Sequence, residues 1–142
     1  MQDAASYYSL KGKSILLATD GRSGSEKAMW VAFNLAKILD SRLYILLVVA
    51  LSGSAKERSL QVKESKKKMN DIIGLAADND VDIVPLLESG SPYETIINAI
   101  AKLGVSAVIV GTSEKSALNR VLIGSVSEHV VRNSPCTVVV VK

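Results

Sequence analysis

The chain alternates short apolar segments with longer segments in which apolar residues recur at helical spacing. The apolar segments have the length of strands, are rich in valine and isoleucine, and contain few polar residues: SILLAT (14–19), LYILLVV (43–49), VDIVPLL (81–87), SAVIVG (106–111) and CTVVVV (136–141). Segments of this kind are typical of strands that are buried on both faces. The pattern therefore predicts five strands of a parallel sheet.

Helical patterns separate these strands, and three of them carry the same start signal. Ser23, Ser91 and Ser125 are each followed three residues later by a glutamate, which is the spacing of a capping box. Pro92 would take the first helical position after Ser91, and Gly104 would end that helix. The sequence thus predicts helix starts capped by Ser23, Ser91 and Ser125.

The first two helical patterns each predict a buried face. In residues 25–39 the apolar positions at helical spacing are Ala28, Ala32, Leu35, Ala36 and Leu39. In residues 57–79 they are Leu60, Met69, Ile72, Ile73 and Ala76. Trp30 and Phe33 are expected to pack on the sheet, and Cys136, at the start of the last strand, is expected in the core.

Regular alternation of strands and helices predicts an α/β, doubly wound fold. Parallel strands are joined by right-handed helical crossovers, which place helices on both faces of the sheet. With 142 residues, of which 48% are hydrophobic and 22% charged, the chain is long enough for one complete core. We expect a single domain over residues 1–142.

Composition excludes several classes of function. The apolar segments are shorter than the roughly 20 residues that span a bilayer, and no signal-peptide pattern opens the chain. The single cysteine and single histidine, Cys136 and His129, form neither an internal disulfide nor a zinc pattern. We therefore expect a cytoplasmic protein without a membrane partner, and no chemical role for His129.

A formal net charge of +3 raises the question of nucleic acid. The densest basic cluster, KESKKKMN (63–70), lies in a helical pattern and has no interleaved aromatic residues for base stacking. A solvated helix face accounts for it, so no nucleic-acid partner is expected.

Candidate ligand chemistry lies in the loops that follow the strands, because open parallel sheets bind ligands beyond the carboxyl ends of their strands. These loops are TDGRSGS (19–25), ALSGS (50–54) and GTSEKSALNRVLIGS (111–125). They contain neither the dinucleotide-binding glycine pattern nor the common P-loop pattern. Any nucleotide must therefore be held by a different geometry.

Four stretches together resemble the universal stress protein family, and the resemblance covers nearly the whole chain. They are SILLATDGRSGSEKAMWVAFNLA, ESGSPYETIINAIAKLGVSAVIVG, the R-x-L-x-G-S pattern at 120–125, and PCTVVVV at 135–141. The resemblance implies a five-stranded parallel sheet in the order 3-2-1-4-5, usually in a dimer. It also implies a protein of the stress response, and many such proteins bind ATP or AMP.

Many members of the family bind nucleotide through a glycine, two residues, a second glycine, nine residues, and then Gly-Ser or Gly-Thr. Gly111 matches the first glycine and Gly124 with Ser125 the closing pair, whereas Glu114 replaces the second glycine. Two milder departures are Ala117, where glycine is common, and Ala18, where proline is familiar. The nucleotide-binding residues that the resemblance implies are Asp20, Val49, Gly111, Thr112, Arg120, Gly124, Ser125 and Val126.

Each implied residue has a role that physical chemistry allows. Asp20 would contact the adenosine and Val49 would flank the base, while Gly124 to Val126 would present N–H groups to phosphate. Lys115 and Arg120 could neutralise phosphate charge, with Mg²⁺ as a further cation if ATP is bound. Plain alternatives remain open: Ser125 with Glu128 also forms a helix cap without ligand, and Asp20 with Gly21 also fits a simple turn.

Three functions are compatible with these features. The first is a sensor or regulator that binds an adenine nucleotide, and the second is a member that has lost nucleotide binding and acts through its dimer surface, which Glu114 favours. The third is an ATP hydrolase or nucleotidyl transferase, whose turnover would be slow because no general base or metal carboxylates are evident. A phospho-acceptor receiver domain is excluded by LLESG (86–90), which lacks the acceptor aspartate.

The apolar last strand, TVVVVK (137–142), predicts pairing with a second copy.

Overall fold

The computed structural model describes residues 4–7, 9–21, 25–112 and 124–142, and for residues 6 and 7 the backbone alone. The elements are α1 (Ala4–Tyr7), β1 (Ile15–Thr19), α2 (Glu26–Leu39), β2 (Leu43–Val49), α3 (Ala55–Asp78), β3 (Ile83–Ser89), α4 (Pro92–Leu103), β4 (Ala107–Gly111), α5 (Ser125–Asn133) and β5 (Thr137–Val141). All five predicted strands are present, each within two residues of its expected ends.

The five strands form one parallel sheet in the order β3-β2-β1-β4-β5. At its centre, Ala18 of β1 pairs with Leu46 of β2 on one side and with Val110 of β4 on the other. This is the order that the family resemblance implies, and the doubly wound α/β class is confirmed. The two edge strands are β3, which carries Pro85, and β5, which has no proline.

Helices cover both faces of the sheet because side chains alternate along each strand. One face packs against α2 and α3, in a core that includes Leu17, Ile45, Ile109, Phe33, Met69, Ile72 and Ala76. The other face packs against α4 and α5, in a core that includes Leu16, Leu46, Val108, Ile96, Ile100 and Val130. Burial of these apolar surfaces is the main stabilising contribution to the fold.

The distribution of helices fixes where the strand order reverses. The connections from β1 to β2 and from β2 to β3 run through α2 and α3 on one face. The connections from β3 to β4 and from β4 to β5 run through α4 and α5 on the other. The connections that follow β1 and β4 therefore cross to opposite faces, and a reversal of this kind is where open α/β sheets generally bind ligands.

The predicted helix caps need correction. Ser91 is the N-cap of α4 but makes no side-chain capping bond. Ser125 is not the cap of α5: Gly124 holds that position, and Ser125 is the first helical residue. The start of α2 has Ser25 as its N-cap, without a side-chain capping bond, while Ser23 lies outside the described residues.

A capping box does form at α3, where none was predicted. The Ser54 hydroxyl accepts the Glu57 N–H at 3.2 Å, and the Glu57 carboxylate accepts the Ser54 N–H at 3.4 Å. The helix therefore begins at Ala55, two residues before the predicted start. The Ser54 to Glu57 spacing is the sequence signal that could have identified this start.

Burial along α2 and α3 differs from the prediction at a few positions. Met69, Ile72 and Ala76 are buried as expected, but Leu60 is 57% and Ile73 37% exposed. Phe33 is buried, whereas Trp30 is 36% exposed and meets the Phe33 ring edge-on at 5.4 Å between centroids. Cys136 is half-buried and packs against the core beneath α4 and α5. Among the helices that the structure describes, none is both long and apolar enough to cross a membrane.

Candidate functional site

The carboxyl ends of β1 and β4 lie side by side at the point where the strand order reverses. Because Ala18 pairs with Val110 in parallel register, Asp20 and Gly111 follow at the same edge of the sheet. Asp20 is exposed there, and Gly111 is half-buried. The structure thus brings together two candidate residues that are far apart in sequence.

A short hydrogen bond links the end of β4 to the first turn of α5. The hydroxyl of Ser127, a side chain only 4% exposed, donates to the carbonyl of Gly111 at 2.6 Å. The next residue, Thr112, donates its N–H to the carbonyl of Val141 at 3.0 Å, which ties the same segment to β5. The beginning of α5 is consequently held against the carboxyl edge of the sheet.

The start of α5 has the geometry of an anion-binding helix terminus. Gly124 is in an extended conformation (φ −64°, ψ 163°) and its carbonyl accepts the Glu128 N–H at 2.9 Å, the first bond of the helix. The N–H groups of Ser125 and Val126 belong to the first turn, where no helix carbonyl is available to them. Together with the helix dipole, they favour a negative group at this position.

The loop after β1 is shaped by a close contact with α3. Gly21 has φ +74°, and its N–H donates to the hydroxyl of Thr19 at 3.1 Å. A Cβ on Gly21 would lie 2.9 Å from Cδ of Lys68 and 3.3 Å from Cδ1 of Leu47. The positive φ therefore favours glycine here, and a Cβ would also require the Lys68 side chain to shift.

The sequence pattern gives Lys68 no distinct role, because the lysines of residues 63–68 together fit a solvated helix face. In the structure the Lys68 side chain is half-buried, and its stem lies over the loop that contains Asp20. Its position four residues before the buried Ile72 was the available signal that it differs from its neighbours. The contact brings a positive charge to the edge that carries the candidate site.

The end of β2 contributes to the same edge from the other side of β1. Val49 is half-buried, and its carbonyl accepts the N–H of Gly90 at 3.0 Å, which closes the ends of β2 and β3 against each other. Val49 therefore lies at the edge where an apolar wall for a base is expected.

The remaining predicted residues lie outside the described part of the chain. Arg120, Glu114, Lys115 and Ala117 all fall within residues 113–123. Within the residues that the structure does describe, no group of three or more histidine, cysteine, aspartate or glutamate side chains could hold a metal ion. Of the candidate residues, the structure therefore describes Asp20, Val49, Gly111, Thr112, Gly124, Ser125 and Val126, at the carboxyl edge of the sheet.

The family model and the similar known proteins agree on one family. Residues 12–142 match the model of the universal stress protein family. A universal stress protein of Methanocaldococcus jannaschii is 32% identical over 139 residues, which cover 92% of this chain and 82% of that protein.

Solved structures agree in fold. The universal stress protein UspA from Lactobacillus plantarum superposes with a TM-score of 0.83 at 21% identity, over 93% of this chain and 99% of that one. A universal stress protein from Archaeoglobus fulgidus, solved in complex with dAMP, gives a TM-score of 0.73 at 16% identity, over 92% of this chain and 98% of that one.

Proposed function

The chain belongs to the universal stress protein family, and we propose that it binds an adenine nucleotide at the edge between β1 and β4. The proposed role is that of a regulatory or sensor protein of the stress response, acting in the cytoplasm. Binding rather than turnover is the proposed activity.

The observation that carries this proposal is the Ser127 to Gly111 hydrogen bond at 2.6 Å. It holds the N-terminus of α5 beside the edge where the connections after β1 and β4 diverge, so that a phosphate and an adenosine could be contacted at once. The universal stress protein from Archaeoglobus fulgidus was solved in complex with dAMP, which is an adenine nucleotide with one phosphate. This complex supports an adenine nucleotide as the ligand here.

The proposed position of each part of the nucleotide follows from the charges and the apolar surface at the carboxyl edge of the sheet. The phosphate would accept hydrogen bonds from the N–H groups that follow Gly124, while Asp20 would accept from ribose hydroxyls or the adenine amine. Val49 would flank the base. Arg120 and Lys115 are proposed as counter-charges for phosphate, with Mg²⁺ accompanying a triphosphate.

Monophosphate is the better ligand in this proposal. Glu114 stands where the family motif has its second glycine, and a carboxylate about 6 Å from one phosphate charge is repelled by about 0.7 kcal/mol in bulk water and about 3 kcal/mol at an effective dielectric of 20. Because AMP lacks the distal phosphates, it experiences less of this repulsion than ATP does.

Calorimetric titration with AMP tests the proposal. The wild type is expected to bind one AMP per chain, and Gly124→Val to lose binding, because the new side chain obstructs the approach of phosphate. The extended backbone of Gly124 accepts valine without strain. Gly74→Val, on an open part of α3, is the control for a bulky replacement and should bind like the wild type. Unchanged affinity in Gly124→Val would show that the site is misplaced.

A second candidate function is action through a homodimer surface without nucleotide. Glu114 favours it, since a charge that opposes phosphate is tolerable in a protein that binds none. The proposed surface is the edge of β5, whose Val138 to Val141 are only half-buried in the described structure. An edge strand of this kind offers unpaired backbone groups to a second copy.

A further inference from the structure

A tyrosine on α4 is hydrogen-bonded to the first residue of α5. The phenol O–H of Tyr93 donates to the hydroxyl oxygen of Ser125 at 3.0 Å. Tyr93 is the second residue of its helix and is 37% exposed. The family motif includes Ser125 and does not include Tyr93.

Contacts with α5 fix the position of this phenol. The Tyr93 ring meets the His129 ring edge-on, with centroids 5.2 Å apart and planes at 84°. His129 is tied in turn to Asn133, whose side-chain amide donates to the His129 carbonyl at 2.9 Å and lies 3.3 Å from its Nδ1. The lone histidine of the chain thus helps to hold Tyr93 against the start of α5.

The direction of the hydrogen bond decides what Ser125 can do. A phenol is a stronger acid than an aliphatic alcohol, so Tyr93 is the donor and Ser125 the acceptor. A serine hydroxyl carries a single hydrogen, which in this arrangement is directed away from Tyr93 and remains available to another acceptor. Accepting a hydrogen bond also polarises the hydroxyl, which strengthens the bond that it donates.

We propose that Tyr93 is a positioning residue for the nucleotide phosphate: it orients the Ser125 hydroxyl so that this group donates to a phosphate oxygen at the start of α5. This inference rests on the proposed nucleotide site and adds to it a residue from α4. The bond from Ser125 to a phosphate is charge-assisted and stronger than a bond between neutral groups.

A double-mutant cycle with two ligands tests the proposal. Tyr93→Phe removes the phenol oxygen but keeps the ring that packs on His129, and Ser125→Ala removes its partner. We expect Tyr93→Phe to weaken AMP binding about threefold to tenfold, the usual effect of one hydrogen bond. Adenosine, which has no phosphate, should bind Tyr93→Phe and the wild type equally well. In the Ser125→Ala background, Tyr93→Phe should have no further effect on AMP.

Tyr44→Phe provides the matched control, because it removes the same group from a half-buried tyrosine of β2 near the opposite edge of the sheet. It should bind AMP like the wild type. Unchanged AMP affinity in Tyr93→Phe, an equal loss for AMP and adenosine, or additive losses in the double mutant would each overturn the positioning role. If the wild type bound neither AMP nor adenosine, the proposed nucleotide binding itself would be wrong. If the wild type bound both ligands and Tyr93→Phe gave one of the outcomes above, only the positioning role of Tyr93 would be wrong.

Discussion

The buried hydroxyl of Ser127 donates to the carbonyl of Gly111 at 2.6 Å and joins the first turn of α5 to the last residue of β4. The bond connects the two ends of the chain segment whose residues 113–123 lie outside the described structure. Two candidate phosphate contacts, Gly111 and Gly124, are therefore kept at one edge of the sheet by a residue that the binding motif does not contain.

Ser127→Ala is expected to lower both stability and affinity. The carbonyl of Gly111 would lose this donor, at a cost of about 1–2 kcal/mol in the free energy of unfolding. AMP affinity should fall as well, because the start of α5 would no longer be held against β4. Urea denaturation and calorimetry measure the two effects. Ser125→Ala, which removes an exposed hydroxyl from the same turn, should cost clearly less stability, and equal losses would contradict this role of Ser127.

Gly21→Ala should destabilise the protein more than Gly12→Ala does. Both glycines have φ +74°, so alanine costs about 1 kcal/mol of backbone strain at either position. Only Gly21 has close neighbours, at Lys68 and Leu47, whereas nothing lies within 4 Å of a Cβ on Gly12. Overpacking should add about 1 kcal/mol to the loss in the free energy of unfolding of Gly21→Ala, as measured by urea denaturation. Shortening the neighbour with Lys68→Ala should remove part of this difference, and identical losses at the two glycines would disprove the contact.

The edge of β5 is predicted to pair with a second copy of the chain. Sedimentation should show a dimer at micromolar concentration, and amide exchange in Val138 to Val141 should slow as the concentration rises. The other edge strand is an internal control: Pro85 interrupts the N–H groups of β3, so exchange there should not depend on concentration. A monomer at all micromolar concentrations would rule out this interface.

Glu114→Gly restores the residue of the family motif and should strengthen the binding of ATP more than the binding of AMP. The substitution removes a negative charge whose repulsion acts mainly on the distal phosphates, and a gain of about tenfold for ATP is expected. Both affinities should be measured in one buffer with Mg²⁺. Equal gains for the two nucleotides would indicate a change in the backbone of the loop instead of charge, and no gain would show that Glu114 does not face the ligand.

The fold was predictable from sequence because buried parallel strands are nearly uniform apolar segments. LYILLVV (43–49) matches β2 at both ends, and the β3 segment differs by only two residues. Strand order came from the family resemblance, since periodicity alone does not specify which strands are neighbours. The register of Ala18 with Val110 then placed the loops of the site together.

Prediction was weaker where local signals compete with tertiary contacts. Ser125 has the spacing of a cap, yet Gly124 takes that position and the Ser125 hydroxyl is engaged by Tyr93. Leu60 fits the apolar stripe of α3, but it is 57% exposed in the described structure. The contacts of Tyr93 and Lys68 with the site depend on how α4 and α3 cross the sheet, which the sequence pattern does not specify.

The most direct test of nucleotide binding at the β1 and β4 edge is a titration of isotope-labelled protein with AMP, followed by amide NMR spectra. Binding at this edge predicts that the saturating shifts include the amides of Asp20, Gly21, Gly111 and Thr112 and those at the start of α5. Amides at the opposite edge, such as those of residues 12, 41 and 104, should not move. Absence of any shift at millimolar AMP, or shifts confined to that opposite edge, would contradict it.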